Sequence, residues 1–311
     1  MNRRLLILCW HNVRGTWSFP SAGDAGRRGL ERQLRLLSRW ANVLPLDVAL
    51  RALAEGGKLP PRAVALTFDD GYRDNLTLAA PMLKALQLPA TFFLVPGLLS
   101  NTALPWWEQV SWTIQTSPRG NVIWQGQSMP LLSDGHRRAA VDRVQRDLKT
   151  VSRAEREAET ERLRQLLTPR GSRPTAEELF LDWDEARQLM QQGFDIGSHT
   201  CQHPILSRET ANSQAQELRD SRRLLEDGCE VSVSLLAYPN GTTVDYDAAT
   251  LVAATSAGHQ WALTTTEGFN TRRTPPLEMR RVVMYPERGG VELLAALRYA
   301  ARRSDRGGDT Q

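Results

Sequence analysis

Cysteine is scarce in this sequence of 311 residues, and its three copies lie far apart. Cys9, Cys201 and Cys229 form no CxxC pair, and their number is odd. Disulfide-stapled scaffolds and zinc ribbons need several closely spaced cysteines. Neither class is indicated, so the fold must depend on a hydrophobic core.

Long apolar runs are also missing. No stretch approaches the roughly 18 consecutive apolar residues of a membrane-spanning helix. The run Leu5–Trp10 follows two arginines, as in a signal peptide, but it is too short for a signal and lacks a small-residue cleavage site. We therefore expect a cytoplasmic protein without a transmembrane segment, although secretion by another route stays open.

The sequence has little excess charge of one sign. Its formal net charge is +4, and basic and acidic residues are mixed along the chain. Nucleic-acid binders usually gather basic residues and aromatics on one face, so no nucleic-acid partner is expected. There is no GxxxxGK[ST] loop to hold phosphates, which argues against phosphoryl transfer.

Short apolar runs alternate with amphipathic stretches through most of the chain. Buried parallel strands alternating with helices give this pattern, which predicts an α/β fold with a parallel sheet or barrel. The predicted strands are Leu5–Trp10, Ala63–Phe68, Ala90–Val95, Phe194–Gly197, Val231–Tyr238, Trp261–Thr265 and Arg281–Tyr285, with a weaker one at Val43–Leu46. The predicted helices are Gly29–Ala41, Asp47–Glu55, Leu76–Leu86, Trp183–Gln192 and Glu209–Asp227.

One region interrupts this alternation. Between Val95 and Phe194 no strong strand candidate occurs, so we interpret residues 101–174 as an insertion within a single domain spanning residues 1–311. Its second part, His136–Leu167, carries many Arg and Glu residues and is expected to be a long solvated helical segment. Residues 302–311 are polar and are expected to form a flexible tail.

The most informative motif is TFDDGYRDN, which directly follows a predicted buried strand. It places Asp69 and Asp70 at the carboxyl end of that strand, where α/β barrels carry their active sites. Adjacent side chains of an extended strand point in opposite directions, but at the transition into a loop both can turn toward one pocket. A plain solvated turn is the alternative, because Asp-Gly favours turns.

A second motif, GSHTCQHP, places His199 and His203 four residues apart after another predicted strand. On a helical turn these positions share a face, so both imidazoles could reach one metal ion. Two imidazoles and one carboxylate form a triad that leaves coordination positions open for water and substrate. The second carboxylate would then be free to accept a proton.

The order TFDDG, HTCQH and AYPNG resembles the polysaccharide deacetylase family, the NodB-homology carbohydrate esterases. The resemblance covers most of the chain apart from the insertion and the tail. It implies a distorted (β/α) barrel of about seven strands, in line with the seven clear apolar runs. It also implies that Asp69 is the general base and that Asp70, His199 and His203 bind one divalent metal ion. We expect zinc, although this ligand set also accepts iron, cobalt, nickel or manganese.

The third motif departs from the family pattern. Members usually have an R-x-P-Y box, whose Arg orients the base and whose last residue donates a backbone N–H to the oxyanion. Here Tyr238, Pro239 and Asn240 stand in its place, and the Asn240 N–H can still donate. Tyr238 and Pro239 are accordingly expected near the substrate. Arg281 is the candidate for the missing guanidinium, and a surface charge at the start of a strand is the equal alternative.

The general acid must also come from another part of the sequence, because the family's late L-x-H box is absent. The segment CWHNV resembles the YHxV box of a subgroup with rearranged motifs, and this resemblance implies that His11 is the acid. A buried histidine at the end of a strand is the alternative. His259 is interpreted as structural and His136 as solvent-facing.

Two neighbouring tryptophans in the insertion are the remaining candidates for substrate binding. Trp106 and Trp107 offer flat aromatic surfaces on which sugar rings could stack, but they could equally anchor the insertion to the core.

The expected function is removal of N-acetyl groups from an amino sugar, a polysaccharide or its precursor, with release of acetate. One alternative is an amidase or esterase that acts on a non-sugar acyl group, since the metal chemistry is not specific for sugars. Another is a carbohydrate-binding protein of the same fold with weak or no catalysis. The sequence leaves the glycan and the oligomeric state open.

Overall fold

A parallel sheet forms the centre of the protein in a computed structural model that describes residues 4–100, 103–288 and 293. The strands in chain order are β1 (Leu5–Trp10), β2 (Asn42–Val43), β3 (Ala63–Phe68), β4 (Thr91–Leu94), β5 (Asn121–Trp124), β6 (Gln127–Pro130), β7 (Asp195–Ser198), β8 (Leu235–Ala237), β9 (Trp261–Leu263) and β10 (Val282–Val283). Strands β5 and β6 form a separate antiparallel hairpin, and the others belong to the parallel sheet. The order across the sheet is β10-β1-β3-β4-β7-β8-β9, and β2 also pairs with β3.

Strands β1 and β3 are interior strands of the sheet and lie between β10 and β4. Every residue in both strands is buried, and they pair in parallel from Leu5 opposite Ala63 to Trp10 opposite Phe68. A parallel strand with both faces covered needs apolar side chains on each face. This explains why these segments are continuous apolar runs rather than alternating ones.

Helices cover the sheet and connect its strands. Helix α1 buries Leu30, Leu34 and Leu37, which share one face at helical spacing. The helices are α1 (Ala25–Trp40), α2 (Leu46–Ala54), α3 (Ala80–Ala85), α4 (Pro96–Leu99), α5 (Trp106–Thr116), α6 (Asp134–Leu148), α7 (Arg153–Leu167), α8 (Trp183–Gln191), α9 (Ala211–Cys229) and α10 (Ala248–Ser256). A π-helical turn (Asn75–Ala79) leads into α3, and short 3-10 turns occur at Ala176–Glu178, Leu206–Arg208 and Pro286–Arg288.

The predicted fold class is confirmed. After β9 the chain returns to pair Met279 with Leu263 in an isolated parallel bridge, and it then forms β10, which pairs with β1. This connection curls the sheet into a half-barrel of seven parallel strands along its main path. Several strands are shorter than their apolar runs: only Leu235–Ala237 of the run at 231–238 pairs as a strand.

The region between β4 and β7 differs from the expectation. The segment at 136–167 is helical, as predicted, but it is neither one helix nor fully solvated: it forms two helices, and α7 begins in a capping box formed by Ser152 and Glu155. Both helices bury apolar residues against α5, among them Val144 and Leu163.

The same region also contains the hairpin of β5 and β6, which the apolar runs of the sequence did not predict. Gln125 and Gly126 both have positive φ, as a tight two-residue hairpin turn requires. The boundaries of the insertion and of the single domain stay predictions. The expected tail at 302–311 and the first two residues of the insertion lie outside the described residues.

The carboxyl ends of β1, β3, β7, β8 and β9 meet at one edge of the half-barrel, and the motifs singled out above follow four of them. Among the described residues, no helix has both the length and the apolar character that crossing a membrane requires.

Candidate active site

The acid pair lies where β3 ends. Asp69 continues the pairing with β1, because its N–H donates to the carbonyl of Trp10 at 2.8 Å. Asp70 then adopts φ +72°, a left-handed conformation that a non-glycine residue rarely takes. This change of direction lets both carboxylates face one pocket, and both are almost completely buried.

Asp69 is held by Arg281, which is completely buried. The two guanidinium nitrogens Nη1 and Nη2 each lie 2.8 Å from one oxygen of the carboxylate, and Nε donates to the carbonyl of Thr264 at 3.0 Å. Burial raises the pKa of Asp69, but the charge and hydrogen bonds of Arg281, together with the nearby His199, outweigh burial, so the pKa lies below its ordinary value. Asp69 is therefore an oriented, ionised carboxylate, and the alternative of a surface role for Arg281 is wrong.

Asp70 meets the two histidines of the second motif. Its Oδ1 lies 3.3 Å from Nε2 of His199 and 3.4 Å from Nε2 of His203. The expectation of a helical turn is wrong, because residues 199–204 form an irregular loop after β7. Positive φ angles at Thr200 and His203 turn this loop back on itself. The loop, rather than helical periodicity, brings both imidazoles to the same carboxylate.

This cluster fits a divalent cation. The three ligand atoms lie within 4.8 Å of one another, and the buried Oδ1 of Asp70 makes no hydrogen bond with any described residue. Nδ1 of His199 lies 2.8 Å from the carbonyl of Ala237. A carbonyl can only accept, so Nδ1 carries the proton and Nε2 presents a lone pair to the cluster. An orphaned carboxylate oxygen beside oriented imidazoles is a donor set that suits a transition metal.

The charges within the cluster influence one another. Burial raises the pKa of Asp70, but contacts with His199 and His203 outweigh burial and lower it well below its ordinary value. Burial lowers the pKa of His199, yet Asp69 and Asp70 raise it overall. For His203 burial dominates, and its pKa is lowered.

His11 lies next to Asp69 at the end of β1. A ring nitrogen of His11, the Cys9 sulfur and a carboxylate oxygen of Asp69 lie within 4.8 Å of one another. This second group is a poor metal site, because both oxygens of Asp69 are occupied by Arg281. His11 is only half-buried and lines the active-site cavity, so it can reach a bound molecule.

Asn240 faces the cluster from the loop after β8. It has φ +58°, and none of the described residues accepts a hydrogen bond from its backbone N–H. Tyr238 also lines the cavity, but its hydroxyl donates to the carbonyl of Leu277. Pro239 is buried and is not part of the cavity wall.

The two tryptophans close another side of the cavity. The ring of Trp107 lies 4.5 Å from that of His203, and its Nε1 donates to the hydroxyl of Tyr72 at 3.1 Å. Trp106 meets Trp107 edge to face. Trp107 therefore supports a histidine of the cluster, and both rings also border the space in front of it.

The resulting cavity has a volume of about 140 Å³. Four residues in its wall were missed by the sequence reasoning: Phe19, Gln145, Lys149 and Thr265. Gln145 and Lys149 lie at the end of α6, whose apolar residues pack against α5 rather than against the site, so the spacing of these residues gives no signal for Gln145 and Lys149. Thr265 follows the end of β9, so the strand-end rule could have found it.

Fold and site together define the class. A parallel half-barrel carries a buried Asp-His-His cluster at the carboxyl edge of its strands, beside a second carboxylate that is held by an arginine. Barrel enzymes that hydrolyse acyl groups can be built in this way.

The chain belongs to the polysaccharide deacetylase family, whose family model matches residues 56–262. It is therefore a carbohydrate deacetylase, a hydrolase of carbon–nitrogen bonds, as the sequence resemblance implied.

Individual relatives agree with this family. A putative polysaccharide deacetylase, YxkH of Bacillus subtilis, is 22% identical over 292 residues, which are 92% of this chain and 74% of YxkH. A poly-beta-1,6-N-acetyl-D-glucosamine N-deacetylase of Escherichia coli is 37% identical over 89 residues, 28% of this chain and 13% of that protein.

Solved structures share the fold. The Streptococcus pyogenes deacetylase PplD in complex with acetate has a TM-score of 0.62 at 18% identity and covers 94% of this chain and 97% of its own. IcaB from Ammonifex degensii has a TM-score of 0.59 at 17% identity and covers 97% of each chain.

Proposed function

We propose that the protein is a metal-dependent deacetylase that hydrolyses the N-acetyl group of an amino sugar within a glycan or its precursor. The main support for this proposal is that the two acids of the pair have different surroundings. Asp70 points an unpartnered oxygen at two imidazoles, whereas Asp69 lies outside that cluster and is oriented by Arg281. Such a site can bind a cation and still keep one carboxylate as a base.

In this proposal Asp70, His199 and His203 hold one divalent ion, with zinc as the expected metal. When bound, such an ion acidifies a water molecule and polarises an acyl carbonyl. Asp69 accepts the proton of the attacking water, and the fork of Arg281 fixes the direction of its free lone pairs. The chain therefore supplies a base whose position does not depend on the metal ligands.

The remaining steps are assigned to His11 and Asn240. The water oxygen bonds to the acetamide carbon, and the backbone N–H of Asn240 donates to the carbonyl oxygen as negative charge develops there. The carbon–nitrogen bond then breaks, its electron pair stays on nitrogen, and His11 supplies the proton that completes the amine. The proton of the new acetic acid passes to the amine, and the proton held by Asp69 returns to His11, so the products are acetate and an amino sugar with a protonated amine.

Two features support a sugar substrate. Trp106 and Trp107 border the cavity, and aromatic surfaces suit the flat apolar faces of sugar rings. The relatives that match this chain are named for deacetylation of polysaccharides, and one of them for poly-beta-1,6-N-acetyl-D-glucosamine.

The test is acetate release from a small panel of compounds, measured before and after treatment with a chelator. We expect release from N-acetylglucosamine oligomers, loss of release after chelation, and recovery when the metal is returned. Release only from a non-sugar amide or ester would favour the amidase or esterase alternative. Stoichiometric metal without acetate release from any compound would favour a carbohydrate-binding protein.

Replacing His11 with Ala should lower acetate release from an N-acetylated sugar by roughly 100-fold or more, because the amine must be protonated as it leaves. Release from an aryl acetate, whose phenolate leaves without a proton, should change little. The matched control is His136→Ala, since His136 is exposed on α6. Equal losses on both substrates would remove His11 from the role of acid.

A further inference from the structure

A second cavity adjoins the active site. It has a volume of about 300 Å³ and lies between α5, α7 and the loop that carries the two histidines of the cluster. Three residues line both cavities: Trp106, Trp107 and His203. A glycan whose acetyl group is at the cluster could therefore extend into this space.

Arg156 of α7 is the unusual residue in the wall of this second cavity. It is 1% exposed, and its guanidinium lies over the ring of Trp106 at 5.2 Å. Among residues 4–100 and 103–288, neither Nη1 nor Nη2 finds a hydrogen-bond partner. The buried indole N–H of Trp106 is unpartnered in the same part of the chain. The cavity wall thus contains several donors without acceptors.

The acidic residues in the wall do not neutralise Arg156. Glu157 lies 2.7 Å from Arg153, and Glu161 lies 2.6 Å from Arg164. No described residue forms an ion pair with Arg156 within 4.0 Å. Its charge is therefore without a direct counter-ion in the described part of the chain.

A buried guanidinium without acceptors is costly, and such groups are normally paired. The planar fork of arginine matches the two oxygens of a carboxylate or the oxygens of a phosphate, and its charge makes these hydrogen bonds strong. Its support by Trp106 limits the positions that the fork can adopt. The missing acceptor is thus best supplied by a molecule that enters the cavity.

We propose that Arg156 and Trp106 form a subsite for an anionic oxygen group, a carboxylate or a phosphate, carried by the glycan next to the N-acetylated residue. This inference rests on the proposed function and narrows its substrate class from acetylated glycans in general to acidic ones. Arg156 acts here as a residue that determines specificity.

The experiment measures equilibrium binding to the metal-free full chain, so that it does not depend on turnover. Neutral N-acetylglucosamine tetramer is compared with a hyaluronan tetrasaccharide, in which the same sugar alternates with a carboxyl-bearing one. The N-acetylglucosamine disaccharide is compared with the same disaccharide carrying a 6-phosphate on one of its two sugars, next to the other N-acetylated residue. We expect one of the two anionic probes to bind about 10- to 100-fold tighter than its neutral partner, as a charge-assisted pair predicts. The probe with the larger preference identifies the anion.

Three variants test the role of the guanidinium. Arg156→Gln should abolish the preference, and Arg156→Lys, which keeps the charge but loses the fork, should retain only part of it. Arg162→Gln removes the same charge from the same helix outside the cavity and should retain the full preference. If Arg156→Gln does not fold, the comparison of probes on the unchanged chain still decides.

Equal binding of neutral and anionic probes, or a preference that survives Arg156→Gln, would overturn the proposal. Binding and turnover fail separately: a chain that prefers the anionic probe but releases no acetate keeps this subsite and loses the proposed deacetylation. A chain that releases acetate but binds neutral and anionic probes equally keeps the proposed deacetylation and loses this subsite.

Discussion

Replacing Asp69 with Asn is expected to lower acetate release by roughly 1,000-fold or more, because a positioned general base contributes about 10²–10⁴ in rate. The variant keeps the shape of the side chain but loses the ability to take a proton. Its metal content should not change, since Asp69 lies outside the cluster of Asp70, His199 and His203. Kinetics of acetate release and metal analysis on the same preparation provide the check.

The control for this experiment has to account for stability. Asp69→Asn leaves Arg281 buried without its counter-ion, so activity should be measured well below the unfolding temperature of the variant. Asp195→Asn is the matched control, because Asp195 is an exposed residue at the opposite end of β7. Near-normal turnover in folded Asp69→Asn would exclude Asp69 as the base.

Replacing Arg281 with Met is expected to destabilise the protein by about 3–5 kcal/mol, because it leaves the buried carboxylate of Asp69 unpaired. The two guanidinium contacts of 2.8 Å and the bond to the carbonyl of Thr264 are lost together. Acetate release should fall as well, since the base loses its fixed direction. Denaturant unfolding measures the first effect, and kinetics on the folded variant measure the second.

The double variant separates charge pairing from catalysis. Asp69→Asn with Arg281→Met removes both buried charges, so it should be more stable than Arg281→Met alone by at least about 2 kcal/mol. Its acetate release should stay as low as that of Asp69→Asn. Additive losses of stability would contradict the pairing described here.

Much of the fold could be predicted from local patterns. The runs at 5–10 and 63–68 match β1 and β3 residue for residue, because a strand buried on both faces is apolar throughout. The burial of α6 and α7 could not be predicted in this way. Their apolar residues are spread thinly among charges, and they are buried only by packing against α5.

The residues of the candidate site could be named from the sequence, but the backbone geometry that brings them together could not. The two motifs named Asp69, Asp70, His199 and His203, yet the positive φ angles that turn these side chains together belong to non-glycine residues and leave no signal in sequence. The contact between Asp69 and Arg281 joins positions 212 residues apart. Only the resemblance to a family motif suggested an arginine there, since no periodic pattern extends over that distance.

The proposed chemistry depends on one divalent ion bound by Asp70, His199 and His203. Calorimetric titration of zinc into the metal-free chain measures this binding, with Asp70→Ala as the comparison. We predict one ion per chain, and a loss of affinity in the variant larger than the roughly 10- to 100-fold that an outer-shell partner costs. Equally tight, stoichiometric binding by Asp70→Ala would contradict this assignment of ligands.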